Sequence, residues 1–371
     1  MARALAADIA GRADRADREG RLPPEDVALL RESGYLALAV PTGFGGRAGS
    51  LLTCAAAQIE LAKGSASTAL VAAMQHQVIG HQRETRTWRP DAFERIMVDA
   101  AAGGLLNHLG SEPRMGSPSR GGLPETTATP SDDGRALVIN GHKTWATGGQ
   151  RLTHLLVRAA LGDEGCVVLV RQPPGEAVPG IEWVETWRDV LSLRATDSHD
   201  VRFNGVTIPR ENLLETGDAK VVPNVWFATM LSAVYLGAAM AARDAVVAYA
   251  LERVPSALGK PIATLPRIQR EIGEIDVILM AARALLLETA GMWSGQDEDR
   301  SKIMTRVAAA KAFVSSAANS ATEKALQVAG GAGITRALPL ERHFRDVRAA
   351  GMQPPSGDTA YEIVGRAALG L

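Results

Sequence analysis

The chain has 371 residues, and its 40 basic and 41 acidic side chains give a formal net charge of -1. This length is enough for about two to three domains, and the balanced charge gives no electrostatic footprint for nucleic acid or an acidic membrane surface. Cys54 and Cys166 have no partner at metal-ligand spacing, so neither a metal site nor a disulfide framework is expected. The charged stretch 1–20 lacks the apolar core of a signal peptide, which predicts a cytoplasmic protein.

Residues 1–105 are predicted to form an N-terminal helical domain. One helix follows a Pro-Pro start at "PEDVALLRESGYL", where Val27 and Leu30 share a face. A second helical stretch reads "LLTCAAAQIELAKGSASTALVAAMQHQVIG", and Lys63-Gly64 inside it indicates a break between two helices.

Residues 106–217 are rich in Gly, Pro, Thr and Val, a composition typical of strands and turns. The segment "ALVINGHKTWAT" alternates apolar and polar residues around Asn140-Gly141, which predicts a hairpin. Further strands are indicated by "THLLVRA", "GCVVLVR" and "VRFNGVTI". We therefore expect a central antiparallel β-barrel or sandwich.

Residues 218–371 return to helical patterns and predict a C-terminal four-helix bundle. Ile268, Ile275 and Leu279 recur at helical spacing, and small residues allow close helix packing. The uncharged stretch 221–242 is long enough for a bilayer, but its Pro and Asn interruptions and its Ala-rich neighbours favour a bundle-interior helix over a membrane span. The predicted fold class is α+β multidomain.

Five motifs follow one another in a fixed order along the chain. They are "VPTGFGG" (40–46), "GSEPRMGS" (110–117), "NGHKTWATGG" (140–149), "ALQVAGGAGI" (325–334) and "RHFRD" (342–346). Together they resemble the acyl-CoA dehydrogenase superfamily, over nearly the whole chain. The resemblance implies an FAD-dependent oxidoreductase that oxidises an acyl thioester at a CH–CH bond. It also implies CoA as the carrier, a separate electron acceptor, and a homodimer or homotetramer.

A flavin ring is a flat apolar plate with a polar edge, so it needs an aromatic wall and hydrogen-bonding groups. Trp145 and Thr147 lie two apart on a predicted strand, which places both on one face. By resemblance, this pair packs on the ring and bonds its edge; the alternative makes Trp145 a core residue. The cofactor-binding residues implied by the resemblance are His108, Gly110, Ser111, Ser117, Trp145, Thr147, Gln327, Val328, Gly330, Gly331 and Thr359.

The Gly-rich end of "ALQVAGGAGI" contains more glycine than a helix end requires. A left-handed helix cap needs one glycine, whereas Gly330, Gly331 and Gly333 stand close together. Bare backbone allows close approach of a diphosphate to N–H groups. The resemblance implies that this segment contacts the adenine-diphosphate half of FAD from a neighbouring subunit.

The usual catalytic carboxylate of the family is not found. By resemblance its position falls at Pro354 or Gly357 in the last loop, or near Phe227 on the first bundle helix. None of these can remove the α-proton of an acyl thioester. Asp358 and Glu362 are the remaining catalytic candidates, and the alternative for Asp358 is that it caps the final helix.

A second departure affects the segment that resembles the family's diphosphate contact. Arg253 is followed by a longer insert, with Leu258 and Pro266 where the family has Phe and Gln. This leaves open reduced FMN or FAD delivered by a reductase. The Arg345-Asp346 pair is interpreted as structural.

Two other functions stay open on the same fold. A flavin monooxygenase uses reduced flavin and O2 and needs no α-proton base, and for it His76 and Asn107 are possible site residues. The alternative for His76 and His81 is a partly exposed helix face. The third hypothesis is a catalytically inactive binding or assembly homologue.

Overall fold

The computed structural model describes residues 1–115, 122–217, 223–294 and 300–371. Its first part is helical, as predicted. The helices are α1 (Ala2–Glu19), α2 (Pro24–Glu32), α3 (Leu51–Ala62), α4 (Ala66–Thr85) and α5 (Pro90–Ala101). The predicted break is confirmed, because α3 ends before Lys63 and the Ser65 hydroxyl accepts a hydrogen bond from the Thr68 N–H to begin α4.

The middle part is a mostly antiparallel sheet. Its strands are β1 (Leu106–Leu109), β2 (Thr127–Pro130), β3 (Ala136–Ala146), β4 (His154–Leu161), β5 (Glu164–Arg171), β6 (Ile181–Val184), β7 (His199–Pro209) and β8 (Leu213–Thr216). The hydrogen-bonded order is β6-β7-β3-β2-β4-β5-β8, with β1 parallel to β4. The predicted antiparallel sheet is confirmed, and within the described ranges its strand order is open rather than closed into a barrel.

The predicted hairpin at Asn140-Gly141 is wrong. β3 runs through both residues as one strand and pairs antiparallel with the distant β7. The Asn140 side chain accepts a hydrogen bond from the Gly205 N–H at 2.8 Å. A Cβ on Gly141 would lie 2.3 Å from the Thr126 hydroxyl oxygen, so the glycine permits close approach of another segment rather than a turn.

The last part is a helical bundle, confirming the prediction. Its helices are α6 (Val225–Glu252), α7 (Pro266–Ser294), α8 (Arg300–Ala329), α9 (Leu340–Asp346) and α10 (Gly357–Leu369). α6 packs against α7 and α8 and also against α3 and α4. By length and composition α6 alone of the described helices could cross a membrane, but 89% of its apolar window is buried in the structure. This burial favours the predicted bundle-interior helix.

One hydrophobic core runs through all three parts. The structural interpretation of Arg345-Asp346 fits this: Arg345 pairs with Asp17 of α1 at 2.6 Å, and the Asp346 carboxylate accepts the Leu193 N–H at 2.8 Å. The changes from helix to strand and back fall between α5 and β1 and between β8 and α6. The domain limits 1–105, 106–217 and 218–371 stay predictions.

Candidate functional site

Trp145 is an exposed indole on a strained backbone. Its φ is 57°, in the left-handed region, and 58% of the residue is accessible. The pairing of β3 with β7 shifts register between Lys143 and Ala146, so a bulge turns Trp145 out of the sheet. This conformation costs a bulky residue about 1–2 kcal/mol. The alternative that Trp145 belongs to the core is wrong.

Thr147 lies just after β3 and is buried, with 7% accessible. Its hydroxyl is 2.9 Å from the Ser198 hydroxyl, and its carbonyl accepts a hydrogen bond from the Asn107 side chain at 3.1 Å. The prediction that Trp145 and Thr147 share a strand face is wrong, because the bulge interrupts the strand alternation before Thr147.

The two glycines after Thr147 have packing roles. Gly148 has φ 100°, and a Cβ there would lie 2.8 Å from Leu152. Gly149 has φ 48°, and its Cβ would lie 2.8 Å from the Asp197 carbonyl oxygen. A tight turn packed against nearby segments of the same chain therefore explains why both residues are glycine, without a ligand.

A buried ion pair joins β3 to the loop that follows β1. Lys143 donates to the Glu112 carboxylate at 2.6 Å, and the two side chains are 0% and 1% exposed. The backbone N–H groups of Glu125 and Thr126 donate to the same carboxylate at 2.6 and 3.0 Å. Burial alone raises the pKa of Glu112, but these hydrogen bonds outweigh it and hold that pKa below its ordinary value.

This ion pair fixes the loop to β3. The Ser111 carbonyl accepts a hydrogen bond from the Thr144 N–H at 3.0 Å, one residue before Trp145. The sequence analysis missed the roles of Glu112 and Lys143. A charged residue at position 143, in a strand whose apolar residues alternate, was the available signal, because buried charges need a partner.

The next site residues lie on β1 and directly after it. Asn107 and Gly110 are buried, whereas the side chain of His108 is exposed. The protein around His108, followed by the positive charges of Lys143 and Arg158, lowers its pKa to about 4. With this pKa the His108 imidazole is neutral at pH 7.

His76 lies in the interior of the helical part. It is 0% exposed, and its Nε2 is 2.9 Å from the Tyr35 carbonyl oxygen. Burial lowers its pKa to about 4. The alternative of a partly exposed helix face is therefore wrong for His76, and its monooxygenase role stays a prediction without an accessible surface to support it. His81 is half-buried, and burial lowers its pKa.

The glycine cluster after α8 divides into three cases. Gly330 has φ 60° and ends the helix, as a cap does. A Cβ on Gly333 would lie 3.0 Å from the Leu326 carbonyl oxygen, so close packing explains that glycine. Gly331 is exposed, and nothing lies within 4 Å of where its Cβ would be. Within the described part of the chain, neither φ nor packing requires glycine at 331.

The remaining cofactor candidates are distributed around this cluster and the last loop. Gln327 is exposed, Val328 is buried and Ser111 is half-buried. Ser117 lies outside the described residues.

The catalytic candidates lie in the first turns of α10. Asp358, Thr359 and Glu362 are all exposed. Ser356 is the residue before the helix, and Asp358 stands in its first turn, so the alternative that Asp358 caps the helix is wrong. Both carboxylates stay predictions.

These features fit a flavin better than a metal. The exposed indole, the buried hydroxyl and the bare glycine suit a flat ring and a diphosphate. In the described ranges, no group of three or more His, Cys, Asp or Glu side chains could hold a metal ion.

Three family models match successive parts of the chain. The models are acyl-CoA dehydrogenase N-terminal domain over 1–84, middle domain over 108–206 and C-terminal domain over 229–353. YdbM of Bacillus subtilis (strain 168), assigned to the acyl-CoA dehydrogenases, is 35% identical over 347 residues, covering 92% of this chain and 88% of YdbM.

Solved structures share the fold. Butyryl-CoA dehydrogenase from Megasphaera elsdenii superposes with a TM-score of 0.85 and 23% identity, over 99% of this chain and 97% of that chain. TdsC, the dibenzothiophene monooxygenase from Paenibacillus sp. A11-2, superposes in its complex with FMN and indole with a TM-score of 0.88 and 24% identity. That superposition covers 100% of this chain and 96% of TdsC.

Proposed function

Because the chain belongs to the acyl-CoA dehydrogenase family, we propose that it binds FAD and oxidises an acyl thioester, with CoA as the carrier. The observation that carries this proposal is Trp145, an indole that a strained bulge holds in solvent. Backbone strain persists only where the surrounding structure enforces it, and it concentrates at ligand sites. When bound, the flavin supplies the acceptor for a hydride from the β-carbon of the substrate.

In this proposal, the chain positions the ring and excludes water from one face. Trp145 forms the apolar wall, and Thr147 presents its hydroxyl to the polar edge. His108 stands next to the ring as a neutral imidazole, and Gly110 and Ser111 follow it in the chain. The Glu112–Lys143 pair keeps this loop in place.

The diphosphate end of the site depends on a second copy of the chain. Among the described residues, neither packing nor backbone conformation requires glycine at 331, and Gln327 in the last turns of α8 is exposed. The C-terminal part also exposes large apolar side chains, which favour subunit contacts. These are Val277, Met280, Ile334, Met352 and Tyr361, each at least 62% exposed. We therefore include a homodimer or homotetramer in the proposal.

Oxidation of the thioester needs a base that removes the α-proton. The residues at the positions where the family carries its catalytic Glu cannot act as that base. Pro354, Gly357 and Phe227 are described residues without a titratable side chain. Asp358 and Glu362 are the carboxylates that follow in the chain, and the proposal assigns the base to one of them.

The test of the cofactor site compares two exposed apolar side chains. We expect purified protein to bind FAD with a flavin spectrum, and Trp145→Ala to weaken binding about tenfold through lost ring contact. Leu191→Ala is the control, because Leu191 is 60% exposed and has no proposed role. Absence of FAD binding, or equal affinities in the two variants, refutes the site.

The test of the reaction is an anaerobic titration. Acyl-CoA thioesters of increasing chain length should bleach the oxidised flavin spectrum. If no chain length does so while FAD is bound, the thioester oxidation is refuted and the cofactor site is not.

A second candidate is a flavin monooxygenase that uses reduced FMN or FAD and O2. The missing carboxylate at 227, 354 and 357 favours it, because such a reaction needs no α-proton base. It predicts substrate-dependent O2 consumption with reduced flavin and an oxygenated product. Peroxide alone, whatever substrate is offered, counts against it.

A further inference from the structure

Three buried hydroxyl groups form a line that ends at a backbone carbonyl. The Thr147 hydroxyl is 2.9 Å from the Ser198 hydroxyl, which is 2.7 Å from the Thr196 hydroxyl. Thr196 in turn donates to the Leu193 carbonyl oxygen at 2.9 Å. The three residues are 7%, 3% and 0% exposed, so solvent offers these groups few other partners.

The carbonyl at the end of the line sets its direction. A carbonyl oxygen only accepts, whereas each hydroxyl has one proton to donate. All three contacts are hydrogen bonds only when Thr147 donates to Ser198, Ser198 to Thr196 and Thr196 to Leu193. In that arrangement the Thr147 oxygen has no proton left, and toward any further group it can only accept.

We propose that Ser198 and Thr196 make Thr147 a hydrogen-bond acceptor toward the flavin edge and thereby favour the reduced flavin. This inference rests on the flavin site proposed above. Two-electron reduction with protonation turns a ring nitrogen that accepts a hydrogen bond into an N–H that donates one. An acceptor hydroxyl therefore matches the reduced ring and mismatches the oxidised ring. Ser198 and Thr196 are positioning residues, because they act through Thr147.

The frame around Thr147 is fixed by other bonds. The Thr147 N–H donates to the Trp145 carbonyl at 2.8 Å, and the Gly148 N–H donates to the Thr196 carbonyl at 2.9 Å. The Asn107 side-chain amide donates a hydrogen bond to the Thr147 carbonyl oxygen. Removing the Ser198 hydroxyl therefore changes the direction of one proton and leaves the backbone in place.

The size of the preference for reduced flavin follows from the hydrogen bond that is lost when the donor direction along the three hydroxyl groups is reversed. To donate to the oxidised ring, Thr147 must instead accept a hydrogen bond from Ser198. Ser198 must then accept one from Thr196, which loses its hydrogen bond to the Leu193 carbonyl. The Leu193 carbonyl also accepts from the Trp187 indole N–H at 3.0 Å, so it keeps a donor after reversal. The net loss is one hydrogen bond, roughly a tenfold change in an equilibrium constant.

The experiment measures the dissociation constants of oxidised FAD and of dithionite-reduced FAD, together with the midpoint potential of the bound flavin. Ser198→Ala frees the Thr147 proton, so the preference for reduced over oxidised FAD should fall about tenfold, or ~30 mV in potential. Thr196→Val should shift the preference in the same direction and covers the case in which Ser198→Ala does not fold. Ser232→Ala is the control, because this buried hydroxyl donates within α6 to the Ala228 carbonyl.

A double-mutant cycle separates polarity from general packing. In a Thr147→Val background, Ser198→Ala should no longer shift the potential, because the group through which it acts is gone. An unchanged preference in Ser198→Ala, or an equal shift in the Thr147→Val background, overturns the inference while the flavin site stands. A wild-type protein that binds neither FAD nor FMN overturns the proposed function and this inference with it.

Discussion

Replacing Lys143 by Met should destabilise the protein strongly. The ammonium group donates at 2.6 Å to Glu112, and both side chains are almost fully buried. Lys143→Met keeps the length of the side chain and leaves the carboxylate in the interior with the backbone N–H donors of Glu125 and Thr126. Breaking one side of a buried ion pair typically costs about 3–5 kcal/mol. The two remaining donors place our expectation near 3 kcal/mol, the lower end of that range.

The double variant tests whether the loss comes from an uncompensated charge. Adding Glu112→Gln to Lys143→Met removes the buried charge and keeps the side-chain shape. It should recover about 1–2 kcal/mol of the loss, within the range measured for coupled neighbours. Denaturant unfolding at pH 7 measures the free energies, provided that the slope with denaturant is unchanged.

Acidification gives an independent check on the same pair. The pKa of Glu112 is lowered in the folded protein, so its contribution to stability is complete above the ordinary value of 4.5. That contribution is lost as the pH falls below 4.5 and through the lowered folded pKa. The stability difference between wild type and the double variant should therefore shrink on acidification below pH 4.5.

The matched control is the Arg15–Glu25 pair, whose side chains are 49% and 51% exposed at a separation of 3.4 Å. Arg15→Met should leave stability within experimental error, because exposed pairs are screened by water. A Lys143→Met variant as stable as Arg15→Met refutes the buried pair and its anchoring of the loop.

Three further predictions concern the proposed site. Trp145→Gly should be more stable than Trp145→Ala by up to about 1 kcal/mol, because glycine adopts a φ of 57° without strain. Thermal unfolding measures the two stabilities, and a more stable alanine variant contradicts the strain at position 145. Asp358→Asn with Glu362→Gln should retain FAD binding but lose flavin bleaching by acyl-CoA, and full bleaching excludes both as the base. Gly331→Val should weaken FAD binding without changing the free energy of unfolding. Gly43→Val is the control, because a side chain there also meets open space, and it should change neither quantity. Equal FAD affinities of the two variants remove Gly331 from the site.

The order of the three parts was predictable from the sequence because local signals carry it. Periods of three and four residues mark α7, and a Ser after Lys63-Gly64 marks the start of α4. The antiparallel sheet was predictable from alternation. The hairpin was not, because Asn140-Gly141 is a turn signal that pairing with β7 overrides, and β7 lies more than 50 residues away in the sequence.

The candidate site shows the same division. The resemblance could select Trp145, Thr147 and Gly331 from the sequence because short motifs contain them. Only the tertiary structure decided that Trp145 is exposed by a bulge, that Glu112 neutralises Lys143, and that Thr147 joins a line of buried hydroxyls. Residue type and spacing report local conformation, whereas burial, ion pairing and the direction of a hydrogen bond depend on what a distant segment brings to the same place.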